Sequence, residues 1–172
     1  MSRKTRRLPT QIELWKILTL DWDTGFLYWK PRPNMSKQWN TRFAGKRAGN
    51  TNTRGYRTIA IDRVAYLEHR LIWQMIHCEE PEVIDHIDGN PSNNCPRNLR
   101  EATQFDNMAN RGRKKGKLLP KGIDLTPIGK FRATIKARGQ IYRLGHYDTL
   151  DAAQAAYAAK AEELHGEFAR ID

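Results

Sequence analysis

The stretch from Glu82 to Arg111, EVIDHIDGNPSNNCPRNLREATQFDNMANR, restricts what this chain can become more than any other. It opens on a short apolar strand, Val83-Ile84, that delivers Asp85 and His86. A turn-forming run, Asp88-Gly89-Asn90-Pro91-Ser92, then leads to Asn98-Leu99-Arg100. Thr103, with Asp106 three residues on, predicts a capped helix that carries Phe105, Asn107 and Asn110 along its turns. Strand, loop and helix in so short a span point to an α+β fold.

The residue types in this stretch suit one chemistry. A histidine at a strand end is a good general base, because its ordinary pKa lies close to neutral. Asp85 and the side-chain oxygen of Asn107 are hard donors, the kind that hold Mg²⁺ or Mn²⁺ alongside water and substrate phosphate. The pattern suggests one-metal hydrolysis of a phosphodiester, with His86 activating water and the metal acting as Lewis acid on the scissile phosphate and the departing 3′ oxygen. Taken singly, each residue is more often structural; the joint spacing reverses that judgement. An EF-hand reading fails, because Ile87 would fill its third position and Asn90 the place of its glycine. Adjacent strand residues face opposite ways, so Asp85 and His86 share a site only if the strand ends or twists there.

The run resembles the HNH, or ββα-metal, endonuclease motif, in particular the phage and intron-encoded homing type. The resemblance implies Asp85 as first metal ligand, His86 as general base, Asn98 as the asparagine that orients the histidine through the backbone, and Asn107 as second metal ligand. Asp88-Gly89-Asn90 and Asn93-Asn94 also resemble that subgroup's loop. HRLIW at residues 69–73 is similar to a segment that precedes the motif in such proteins, which places the upstream part in the same domain. His69 reads as structural or DNA-contacting, since the tetrad is complete without it.

Charge points the same way. The chain of 172 residues carries 30 Lys and Arg against 19 Asp and Glu, a net +11. Residues 1–121 hold 23 of the cations and 12 of the acids, while 122–172 hold seven of each. A polyanion is the implied partner, here double-stranded DNA. No apolar run approaches a membrane span and MSRKTRRLPT lacks a signal-peptide core, so a soluble protein of the host cytoplasm, if phage-encoded, is expected. Cys78 and Cys95 have no zinc-finger spacing and read as reduced thiols.

Four segments follow from composition. Residues 1–7, with Arg3, Lys4, Arg6 and Arg7, form a basic tail. Residues 8–111 form the nuclease domain, with its motif at 82–111. Within it, Thr10 to Leu18 predicts a helix with a Thr10/Glu13 capping box and a core stripe of Ile12, Trp15 and Leu18. Phe26 to Trp29 reads as a strand, and Lys30 to Arg54 as mostly loop with one short strand near Lys46 to Ala48. Trp39 and Phe43 in that section are either a DNA clamp or core. A hairpin is expected over 56–66 with its turn at Asp62-Arg63, and a helix over 67–77. Residues 112–121 form a basic linker whose Arg113, Lys114, Lys115 and Lys117, with Arg111 just before them, are expected to track phosphates.

Residues 122–172 alternate cleanly, with Lys130, Arg132, Thr134 and Lys136 on one face and Phe131, Ala133 and Ile135 on the other. A Gly139-Gln140 turn, a return strand over 141–147 and an alanine-rich helix over 151–164 complete a three-stranded antiparallel sheet packed on one helix. Lys121-Gly122-Ile123, Gly129 to Ala133, Leu144 to Thr149, Tyr157 and Leu164-His165-Gly166 resemble the plant APETALA/ethylene-response-factor DNA-binding domain. Asp124, Ile128 and Arg143 depart from the plant pattern, so base contacts are expected from Arg132, Lys136 and Arg143. The resulting reading is a monomeric, site-specific homing endonuclease that needs Mg²⁺ or Mn²⁺ and no small-molecule cofactor. In it residues 8–111 cut and 122–172 choose the site. A DNA-binding regulator with a degenerate nuclease, and a nucleic-acid packaging protein, are its rivals.

Overall fold

A computed structural model describes residues 7–112 and 116–171. The basic tail apart from Arg7, and Arg113, Lys114 and Lys115, lie outside the described residues. The fold is mixed α+β with small sheets, and the chain divides into two compact units, 1–101 and 102–172.

The first unit begins with α1 (Gln11–Ile17), which starts at Thr10 through a complete capping box with Glu13. The expected core stripe needs correcting, because Ile12 is 67 % exposed while Leu14 and Leu18 are fully buried. The helix lasts only two turns, and Leu18 already belongs to β1 (Leu18–Leu20), so the buried register is set by the i, i+4 pair that continues into the strand. β1 pairs with β2 (Leu27–Trp29) in antiparallel register. Gly25, in the turn between them, has φ +70°, and a Cβ there would lie 2.1 Å from the Asn94 carbonyl oxygen. Only glycine lets this turn seat against the backbone of the motif loop.

The expectation of loop over Lys30 to Arg54 also needs correcting. α2 (Lys37–Phe43) forms there, with Ser36 as N-cap accepting from the Trp39 N–H. Trp39 and Phe43, one turn apart, stack at 5.2 Å between ring centroids, and Trp39 meets Trp29 edge-on. Both pack on the main core, which answers the choice between clamp and core in favour of core. No strand forms at 46–48 beyond a single bridge from Arg47 to Tyr28; the strand lies further on, at β3 (Asn50–Thr51).

β3 joins the antiparallel hairpin of β4 (Arg57–Ile61) and β5 (Val64–Leu67). Asp62 and Arg63 make its turn with φ 49° and 67°, the positive values that a two-residue hairpin turn needs. α3 (Glu68–His77) follows directly and buries Leu71, Ile72 and Met75 among Leu14, Leu18, Leu27 and Ile59. Each such side chain contributes about 1.5–3 kcal/mol by leaving water. β6 (Val83–His86) and β7 (Leu99–Ala102) pair beside this core.

The second unit contains α4 (Gln104–Ala109), the helix of the motif, capped by Thr103 and Asp106 as expected. β8 (Ile123–Leu125), β9 (Phe131–Ala137) and β10 (Gln140–Tyr147) form one antiparallel sheet in the order β10-β9-β8. α5 (Leu150–His165) lies on the face of Phe131, Ala133 and Ile135. Its buried stripe is Ala153, Tyr157 and Ala161 at a spacing of four, so small side chains bring helix and sheet close. α4 packs within this unit: the Phe105 ring faces the His165 ring at 5.3 Å and the Arg138 guanidinium at 5.4 Å, and the Lys121 ammonium donates to the Ala109 carbonyl.

Candidate active site

β6 ends at His86 because the chain turns there. The Gly89 N–H donates to the His86 carbonyl at 2.7 Å, with Gly89 at φ +68°. Asp85 and His86 are both buried. The carboxylate of Asp85 accepts two bonds on Oδ2 from Arg100, at 3.0 Å from Nε and 2.9 Å from Nη2. Such a charge-assisted pair orients a carboxylate that burial would otherwise penalise. His86 Nε2 lies 2.9 Å from the side-chain oxygen of Asn94, and the Asn94 NH₂ donates to Glu68 Oε2 at 2.7 Å.

Asn98 ties down the loop that follows His86. Its carbonyl accepts from the Ile87 N–H at 2.9 Å, next to His86 in sequence. Its side chain accepts from the Asp88 N–H and donates to the Asp88 carboxylate and to the Asn93 carbonyl. Burial pulls the Asp88 carboxyl upward, but bonds from Asn93, the Asn90 N–H and Asn98 outweigh it and hold it below the ordinary carboxylate range. The loop between β6 and β7 is thus built on its own side chains. Asn107 stands half-buried on α4 in the second unit.

Residues outside the expected tetrad surround His86. His69 meets it edge-on at 5.1 Å, and Tyr56 lies 6.2 Å away on centroids. Desolvation, then the neighbouring His86 and Arg70, push the His69 imidazole down to about 3, so it is neutral near pH 7. Its burial makes it a wall of the site. Glu68 is fully buried, and burial raises its carboxyl against the pull of Asn94, Arg47 and Arg57. Sequence reasoning missed Glu68, although a signal for it was present. It stands at i, with Leu71, Ile72 and Met75 at i+3, i+4 and i+7, so a charge occupied the apolar stripe of α3. Asn94 was marked only as part of the loop that resembles the family's, and Tyr56 and Arg100 carried no comparable mark.

Those of the cationic residues expected on DNA that are described are exposed but unequal. On the open face of the second sheet Arg143 lies opposite Thr134, and Arg132 lies between His146 and Asp124. Asp124 pairs with Lys117 at 2.6 Å and with Arg132 at 3.5 Å, and those bonds hold its carboxyl low. Lys130 pairs with Asp148 at 3.1 Å. Lys136 and Arg143 form no ion pair with a described residue, and Arg111 is exposed just after α4.

A family model described as HNH endonuclease matches residues 66–109. An uncharacterized HNH endonuclease of Acanthamoeba polyphaga mimivirus is 33 % identical over 104 residues, covering 59 % of this chain and 54 % of that protein. Protein 3.8 of Escherichia phage T7 is 33 % identical over 107 residues, covering 60 % of this chain and 88 % of that protein. The chain therefore spans about half the length of the mimivirus relative and most of the phage one. No solved structure matches. The resemblance of residues 122–172 to the APETALA/ethylene-response-factor domain gains no support from these comparisons. The chain thus carries an HNH endonuclease domain at residues 66–109 and is a relative of the phage protein over most of that protein's length.

Proposed function

We propose that the chain is a divalent-metal-dependent, site-specific endonuclease of double-stranded DNA, of the homing type and with a ββα-metal centre. The observation that carries this is the buried pair Asp85-His86 at the end of β6, with the carboxylate seated on Arg100 and the imidazole on Asn94. His86 takes the proton of the attacking water, and Asn98 keeps the following loop, and with it the strand end, in place. Asp85 and Asn107 are the residues that would hold the metal. One carboxylate and one amide oxygen suit a hard cation that retains water, and no cluster of three or more His, Cys, Asp or Glu able to hold a metal occurs among the described residues. When bound, Mg²⁺ or Mn²⁺ would supply Lewis-acid polarisation of the scissile phosphate. Lys136 and Arg143 offer the open sheet face to DNA, while Arg132, Lys130 and Lys117 reach phosphate by exchanging a carboxylate partner for it.

Cleavage of supercoiled plasmid in Mg²⁺ or Mn²⁺, set against EDTA, tests the reading. His86→Ala should bind DNA as the parent does and cut it roughly 10²–10⁴-fold more slowly, the usual weight of a positioned base. Undiminished cleavage by that variant removes His86 from its role. Tight DNA binding with no cleavage under either metal makes the chain a regulator with an inactive nuclease fold.

A further inference from the structure

We propose that Glu68 and Asn94 are positioning residues that fix the tautomer of His86, placing the proton on Nε2 and the basic lone pair on Nδ1. This rests on His86 being the general base. The inference comes from hydrogen-bond polarity in a chain of three buried groups. Glu68 is 0 % exposed, Asn94 1 % and His86 6 %. A carboxylate oxygen only accepts, so the group that Asn94 turns to Glu68 Oε2 at 2.7 Å is its NH₂. The amide oxygen of Asn94 then faces His86 at 2.9 Å, and an amide oxygen only accepts, so Nε2 of the neutral imidazole carries the hydrogen.

Donors surround the Glu68 carboxylate: the Asn94 NH₂ and Arg47 Nη2 at Oε2, and Arg57 Nε 3.7 Å from Oε1. Their pull opposes the rise that burial gives this carboxyl and favours the form in which both oxygens accept. Further contacts hold the relay in place. The β1-β2 turn presses on the backbone of Asn94 through Gly25, and Arg47 and Arg57 lie within 4.0 Å of the Glu68 carboxylate. Glu68 begins α3, while Asn94 and His86 lie in the motif itself, so the base is keyed to an element that precedes the motif strand.

Nitrogen-15 NMR of the histidines in the full chain, with His86 assigned by loss of its signals in His86→Ala, reads the tautomer without any need for cleavage. Above the imidazole titration, wild type should show His86 protonated at Nε2. Asn94→Ala should give a mixture of tautomers and cut roughly 10²-fold more slowly at unchanged DNA affinity, the scale seen when a base loses the partner that orients it. The double variant Glu68→Gln/Asn94→Asp exchanges carboxylate and amide: the amide introduced on α3 donates, and the carboxylate introduced in the loop still accepts from Nε2. It should restore the single tautomer and at least about 10-fold of the lost rate.

A wild-type imidazole protonated at Nδ1 overturns the proposal, as does Asn94→Ala with tautomer and rate both unchanged. Loss of rate with the tautomer retained reduces Asn94 to a packing role and overturns it equally. If Asn94→Ala does not fold, the wild-type spectrum and the double variant decide. The two readings fail separately. Nε2 protonation without metal-dependent cleavage sinks the endonuclease and leaves the relay; cleavage with Nδ1 protonation sinks only the relay.

Discussion

The two units treat charge in opposite ways. In the first, several ionisable groups are buried against specific neighbours: Asp85 on Arg100, Glu68 between Asn94 and two arginines, His69 kept neutral with its ring against His86. Around them stands a core of fully buried leucine and isoleucine. In the second, the core is small, with alanines at Ala133, Ala153 and Ala161 packing in two clusters around Ile123 and Tyr157, and the charges stand outside in water-exposed pairs. Buried charge is costly and therefore oriented, which suits chemistry on a reacting atom. Exposed charge is cheap, screened and exchangeable, which suits holding a polyanion.

The sharpest way to break this contrast is through pH. His69 has a folded pKa of about 3 against an ordinary 6.5, so the unfolded chain takes up the proton first. The stability it contributes is fully present above about pH 6.5 and is lost as pH falls toward 3, by roughly 5 kcal/mol in the limit. Glu68, with its carboxyl raised, runs the other way and gains as pH falls. Urea unfolding of the first unit at about pH 7.5 and pH 5 should show a fall in stability that His69→Phe largely removes. An equal fall in the variant would mean that the buried imidazole is not what responds.

The next test asks whether the units divide labour as cleanly as they divide charge. Composition assigns cutting to residues 8–111, but α4, which carries Asn107, packs on elements of the second unit through Phe105, Ala109 and the turn Gly166–Phe168. A chain ending at Lys117 keeps all four motif residues yet strips α4 of that packing. Its metal-dependent cleavage should fall about 10²-fold or more, since misplacement by an ångström is enough to cost that much. Full cleavage with lost site preference would restore the simple division.

The smallest effects belong to the exposed face. Lys136→Ala and Arg143→Ala should each lower affinity for random DNA and reduce the salt slope by about 1, because each cation neutralises a phosphate. Arg132→Ala should do less, since Asp124 already offsets that charge. None of the three should shift folding stability by more than about 0.5 kcal/mol. Titrations at two salt concentrations check the order; equal slopes for all three would mean that Asp124 does not compete with DNA.

Much of this was legible in residue order. Local chemistry is written locally: capping boxes at Thr10 and Thr103, the Asp62-Arg63 turn, the alternation of β9 and the alanine stripe of α5 need no distant partner to be recognised. Asp85, His86, Asn98 and Asn107 stood out for the same reason, as residue types at a spacing. What the tertiary structure alone decided concerns burial and partners. Ile12 faces solvent because α1 stops after two turns, and α2 forms where composition suggested loop because Trp39 and Phe43 have Trp29 to pack on. The cations of the second sheet differ in availability because Asp124 and Asp148 happen to lie across from some and not others. Above all, the polarity of the Glu68-Asn94-His86 chain is invisible in sequence, since it depends on three groups 8 and 26 residues apart meeting in the buried interior.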